Sequence, residues 1–243
     1  MTTKKTKKTA SKARTPELKK NIFIFLFFTV LNLAAAQDAL RGEVRIDSEP
    51  VYALEFGVEL PLSAAGALKW AAEEAALSYS AMIYGWNFDY KIGDASRSIA
   101  EDFNLTPNGA VNPSGANLKM ETPVKEGGYF LIWSDYKLTK DQALRFASWK
   151  TAGIREVQSS GSGALTGKAG NDSFVMVKRA ALEDAAKNAV RAALRDKYTN
   201  RPKNARGKAA LSAFPVYRIE GGRWEASARF RVKLEETGGY GVY

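Results

Sequence analysis

Neither cysteine nor histidine occurs in this chain of 243 residues. The first absence excludes disulfides, thiol nucleophiles and thiolate metal sites. The second excludes imidazole bases, the Ser-His-Asp arrangement and ordinary zinc centres. A metal would have to be held by carboxylates and carbonyls alone, and neither a metal nor a cofactor is expected. Small secreted domains usually lean on disulfides, so an exported chain without one fits a bacterial envelope. With no cysteine to acylate, a lipoprotein is excluded.

What is present begins with a leader. Residues 1–20 hold eight Lys/Arg against the single acid Glu17. An apolar run follows from Ile22 to Leu33, then the small-residue box Ala34-Ala35-Ala36 ahead of Gln37. A basic n-region, a short apolar h-region and an A-x-A site describe a secretory signal peptide. The run is shorter than the roughly 20 apolar residues a spanning helix needs, and Asn32 interrupts it. The expectation is therefore a signal peptide over 1–36, cleaved after Ala36, and an exported domain over 37–243 in the periplasm or outside the cell. No twin arginine is present, which points to the general secretory route.

Removing the leader changes the electrostatics. The whole chain carries +10, but the remainder holds 28 basic and 25 acidic residues, a net charge of only +3. Nucleic-acid binding loses its main support.

Periodicity then sets the elements. Tyr52, Leu54, Phe56, Val58 and Leu60 alternate with Ala53, Glu55, Gly57 and Glu59, which predicts a strand. Ser63 caps a helix running to Tyr84 with Leu68, Ala72, Ala75, Tyr79, Met82 and Ile83 on one stripe, and Gly85 reverses the chain. In YGWNFDYKIGD (84–94), Trp86, Phe88, Tyr90 and Ile92 alternate with Asn87, Asp89 and Lys91, so the aromatics share one face of a strand. A short helix from Asp94 to Phe103 and a long loop over 105–127, a candidate subdomain boundary, come next. Tyr129–Lys137 reads as a strand, and Thr139 to Gln142 as a capping box opening a helix to about Thr151. A short strand over Ile154–Val157, a flexible loop over 159–172 and a helix from Ser173 to Tyr198 follow. Its buried side is Phe174, Val177, Ala181, Ala185, Ala189 and Ala192. A hairpin closes the chain, turning through Gly221-Gly222 into Trp224–Leu234, apolar on one face and basic on the other. The fold class expected is α+β, a mainly antiparallel sheet with Ala-rich helices packed on one face. Each half pairs an Ala-rich helix with an aromatic strand, which suggests two similar halves.

Three groups of residues carry chemistry. Asp89, Asp94 and Glu101 belong to the only dense acidic group, and two carboxylates 5–10 Å apart are what a glycosidase uses. Asp94 is also explained as a helix cap, and Glu101 as a partner of Arg97. The basic residues Lys197, Arg201, Lys203, Arg206 and Lys208, with Arg229, Arg231 and Lys233 on the last strand, form the expected binding surface for anionic lipid headgroups or cell-wall polymers. On the preceding helix Lys178, Lys187, Arg191 and Arg195 read as a solvated face. Two near-motifs fail. GSGALTGKAG (161–170) lacks a phosphate loop's first glycine and its terminal hydroxyl, and Ser134-Asp135-Tyr136-Lys137 sits on a strand rather than at a helix start. The function expected is a non-enzymatic exported envelope protein that binds or assembles with an envelope protein or cell-wall polymer. A carboxylate-based glycan hydrolase and an anionic membrane-surface protein are the alternatives.

Overall fold

Alternating apolar side chains build two antiparallel sheets, and alanine-lined helices fill the space against them. The structure, a computed structural model, describes residues 38–50, 52, 54, 57, 59–165, 174–197 and 202–239. The leader, Arg201 and the expected helix start at Ser173 lie outside these residues. In chain order the elements are β1 (Ala39–Asp47), α1 (Ala64–Ile83), β2 (Trp86–Lys91), β3 (Asp102–Pro107), β4 (Leu118–Met120), β5 (Val124–Glu126), β6 (Tyr129–Lys137), α2 (Lys140–Ser148), β7 (Ile154–Ala164), α3 (Phe174–Lys197), β8 (Asn204–Leu211), β9 (Val216–Glu220) and β10 (Arg223–Gly238). The fold is α+β with antiparallel pairing in every described ladder.

The smaller sheet runs β1-β6-β4, with β5 also on β6. The larger runs β3-β2-β8-β10-β7, with β9 beside β8 along β10. Helix α3 packs on β7 and β10, while α1 touches β1, β6, β8 and α3. The core is thus the inner face of the larger sheet, with Trp86, Phe88, Tyr90, Trp224, Phe230 and Val232, closed by Tyr79, Ile83, Leu182 and Val190 from the helices. Capping follows the local chemistry: Ser63 accepts from the Gly66 amide, and Thr139 and Gln142 form the reciprocal box. Gly85 has φ +63, as the helix reversal requires.

Alanine and glycine set how closely the layers approach. A Cβ on Gly161 of β7 would lie 2.0 Å from the Ala185 nitrogen of α3, and one on Gly163 2.9 Å from that of Ala181. Ser159 donates to the Ala185 carbonyl at 2.8 Å, Asn188 to the Ser160 carbonyl at 2.9 Å, and the Ser162 amide to Asp184 at 3.0 Å. The two sheets meet at Phe214, whose ring fills the space over Gly42 of β1 and packs edge-on against Tyr79 at 4.9 Å.

Several expected elements are corrected. Within the expected strand 52–60 the described residues are not strand: Tyr52 and Leu54 lie in a 3-10 turn and Gly57 in a turn. The first described strand is β1, whose Leu40, Val44 and Ile46 face the core. The helix expected from Asp94 shrinks to a 3-10 turn over Ala95–Arg97, because the chain re-enters the sheet as β3, paired with β2. The loop 105–127 contains β4 and β5, and 37–243 forms one compact unit. The flexible loop placed at 159–172 is strand as far as Ala164, held by β10. The basic segment 197–208 ends in β8, which lies between β2 and β10. The strand that directly follows α3 is therefore β8, and the closing hairpin comes after it.

Candidate functional site

The acidic candidates are separated by the pleat of β2. Asp89 and Tyr90 are neighbours on one strand, so their side chains leave opposite faces of the sheet. Asp89 points outward and accepts from Arg206 of β8 at 2.8 Å. Tyr90 points inward, and its hydroxyl donates to Glu101 at 2.5 Å. Glu101 is therefore on the helix side and Asp89 on the outer side, with the sheet between them. Asp94 holds its own turn, accepting from the Ser96 amide at 3.0 Å and the Ser96 hydroxyl at 2.6 Å, which lowers its pKa. Among the described residues no three carboxylates converge as a metal site would require.

Glu101 sits among cationic and hydroxyl groups from β2 and α3. Arg191 of α3 grips both its oxygens, the Arg191 Nε at 2.9 Å, and Lys187 approaches to 3.5 Å. The Arg191 hydrogen bonds bring the Glu101 pKa from an ordinary 4.5 to about 2, while burial raises that of Tyr90. A carboxylate so held is ionised at neutral pH and already donated to from three sides, which disqualifies it as a proton donor. The linkage has a definite sign. A depressed pKa means stability that is fully present above pH 4.5 and is lost as pH falls toward 2. Denaturant unfolding at pH 7 and pH 3 should show Glu101→Gln losing less stability on acidification than the native chain.

The expected basic surface is largely neutralised by its own neighbours. Lys208 and Lys233 stand directly opposite each other across the β8–β10 ladder, a repulsive pairing. The ladder slips between Leu234 and Glu236, and this irregularity brings Glu235 within 3.2 Å of Lys208 and 3.6 Å of Lys233. Arg206 is taken by Asp89 and approached by Glu236 at 4.0 Å. Arg231 pairs with Glu156 at 3.1 Å and lies over the Phe146 ring of α2, its side chain only 12% exposed. Lys197 is exposed at the end of α3, Lys203 beside the start of β8, and Arg229 on β10. Around Arg206 and Lys208 the outer face forms a polar groove of about 400 Å³, completed by Asn87, Asn104, Thr106 and the two glutamates.

A larger cleft, about 710 Å³, opens on the helix side between β2 and the C-terminal half of α3. Its polar wall is Glu101, Asn188, Arg191 and Arg195; its apolar surface is Tyr90, Ile92, Ala192, Leu194 and Pro202. A pocket of this size, with a few polar groups on an apolar lining, is the usual form of a small-ligand site. The sequence signal for it is Lys187, Arg191 and Arg195 at i, i+4 and i+8, a single ridge on α3.

Two other clusters are structural. Lys178, read from sequence as solvated, is 2% exposed. Its ammonium pairs with Glu74 of α1 inside a box of Phe174, Tyr217 and Trp224, 4.6, 5.0 and 4.9 Å from the ring centres. Ser134 is fully buried in the smaller sheet against the Tyr79 hydroxyl, whose pKa burial pushes up to about 12, while Lys137 is exposed. Three positions apart on a strand, Ser134 and Lys137 leave opposite faces, so no Ser–Lys pair exists.

Fold and site together define a two-sheet α+β protein with a helix-side cleft and an ion-paired outer face. The chain belongs to a protein family of unknown function, whose model matches residues 31–240. No curated protein and no solved structure matches it.

Proposed function

We infer that this is an exported, non-enzymatic protein of the bacterial envelope that acts by binding or assembling with an envelope partner. The observation that carries the reading is how the carboxylates are engaged. Asp89, Asp94 and Glu101 are each occupied by a structural partner, and the sheet separates Asp89 from Glu101. What remains open to other molecules is recognition surface: the outer groove and the helix-side cleft. The leader supplies the location, and among the described residues no helix is long and apolar enough to cross a membrane.

Expression of the full chain, fractionation and intact-mass measurement test both halves of the reading. The expected product is an envelope-fraction protein beginning at Gln37, which cross-links to an envelope component from a photoreactive residue placed at Thr106. A cytosolic protein retaining residues 1–36 overturns the location. Cleavage of cell-wall glycan that disappears in Asp89→Asn overturns the non-enzymatic assignment and favours the hydrolase.

A further inference from the structure

The helix-side cleft has an unusual balance of lining groups. Its apolar surface is made by Ile92, Ala192, Leu194 and Pro202, and its rim carries two guanidinium groups against one carboxylate. That carboxylate, Glu101, is saturated: Arg191, the Tyr90 hydroxyl and the nearby Lys187 ammonium surround it. Arg191 is in turn fixed, since it also donates to the Asn188 side-chain oxygen at 3.0 Å. Arg195 is different. It lies one turn further along the same ridge, is exposed at the mouth, and has no hydrogen-bonding or ion-pair partner among the described residues. The cleft therefore presents one uncommitted guanidinium beside an apolar floor, in a field kept positive by Lys187 and Arg191.

A guanidinium takes a carboxylate or a phosphate monoester in bidentate fashion. The floor takes a hydrocarbon body, whose burial is favourable in proportion to the apolar area removed from water. We propose that this cleft binds an anionic amphiphile, its acidic headgroup on Arg195 and its chain on Ile92, Ala192, Leu194 and Pro202. The assignment goes beyond the envelope reading and does not rest on it, because binding is measured on purified protein whatever its location.

Calorimetric titration of the full chain separates the contributions. Sodium laurate and lauryl phosphate, kept below their micellar concentrations, should bind. Acetate and inorganic phosphate supply charge without a chain, dodecyl maltoside a chain without charge, and both should bind far more weakly. Arg195→Gln should weaken laurate about tenfold, the effect of losing a charge-assisted contact of about 1.5 kcal/mol. Arg195 is exposed, so its removal should leave the thermal melt in place. Ala192→Phe, which fills the floor, should abolish binding with the melt likewise retained. A preference for laurate marks a carboxylate headgroup and a preference for lauryl phosphate a phosphate one; either supports the site. Equal binding of dodecyl maltoside, no binding of either anion, or laurate affinity unchanged in Arg195→Gln overturns it.

Discussion

Lys178→Ala should reduce the unfolding free energy by about 3–5 kcal/mol, the range expected when one partner of a buried ion pair is removed. Two losses combine. Glu74, 5% exposed on α1, would be left in an apolar layer with its cationic partner gone. Phe174, Tyr217 and Trp224 would lose the cation each faces and close around a cavity instead. The pair also joins α1 to α3, so its loss should loosen the helix layer as well as lower the denaturation midpoint. The double variant Glu74→Leu with Lys178→Met tests the cause. It removes both charges and keeps the volume, and should recover most of the lost stability, since a buried pair is often matched by apolar residues of similar size. If the double variant is as unstable as Lys178→Ala, the ion pair and its cation–ring contacts, not packing volume, hold this layer. Urea denaturation of the three proteins decides between these outcomes.

Gly161→Val should be nearly as damaging, at about 3 kcal/mol or more, the upper end of overpacking costs. The atoms a side chain would meet are backbone: the Ala185 nitrogen at 2.0 Å, the Asp184 carbonyl carbon at 2.5 Å and the Ala185 Cα at 2.7 Å. No rotamer change relieves such an overlap, so α3 would have to lift from β7. Lifting would also break the bonds from Ser159, Asn188 and Ser162 that stitch strand to helix. Gly153→Val is the control: it sits at positive φ, but a Cβ there meets nothing within 4 Å. Its cost should come from backbone strain alone and be the smaller of the two. Thermal melts of the two variants measure the difference.

Gly161 and Gly163 also show why the sequence was only partly readable. In GSGALTGKAG they first suggest a phosphate loop or a flexible tether, whereas their small size serves the close approach of a helix. The same cause hid β8. Its inward residues Ala205, Gly207 and Ala209 give no apolar alternation to detect, because Phe88 of β2 occupies the space over Gly207. Where large side chains alternate, as in β2, β6 and β10, the strand and its inward face are plain from the residues alone. Gly85, Ser63 and Thr139 likewise follow from local chemistry, which needs no knowledge of the partner layer. The cleft is the opposite case. Tyr90, Glu101, Arg191 and Pro202 come from distant parts of the chain, and Arg191 looks like an ordinary surface cation until Glu101 is placed beside it. Asp89 and Glu101 appeared to be one acidic group because they are close in sequence, yet the pleat sends them to opposite faces.

Phe214 has a consequence for the order of folding. It is contributed by the connection between β8 and β9 and closes over Gly42, in the first described strand. The buried ion pair joins residues 104 positions apart, and the Asp89–Arg206 pair residues 117 apart. Contacts this remote slow folding, because the chain must be brought together before they contribute. A growing chain that has made everything up to α3 still lacks β8, the central strand beside β2, and the aromatic wedge that joins the sheets. The strands of the smaller sheet are all present by then, but the larger sheet stays open until β8, β9 and β10, which lie in the last fifth of the chain, are available.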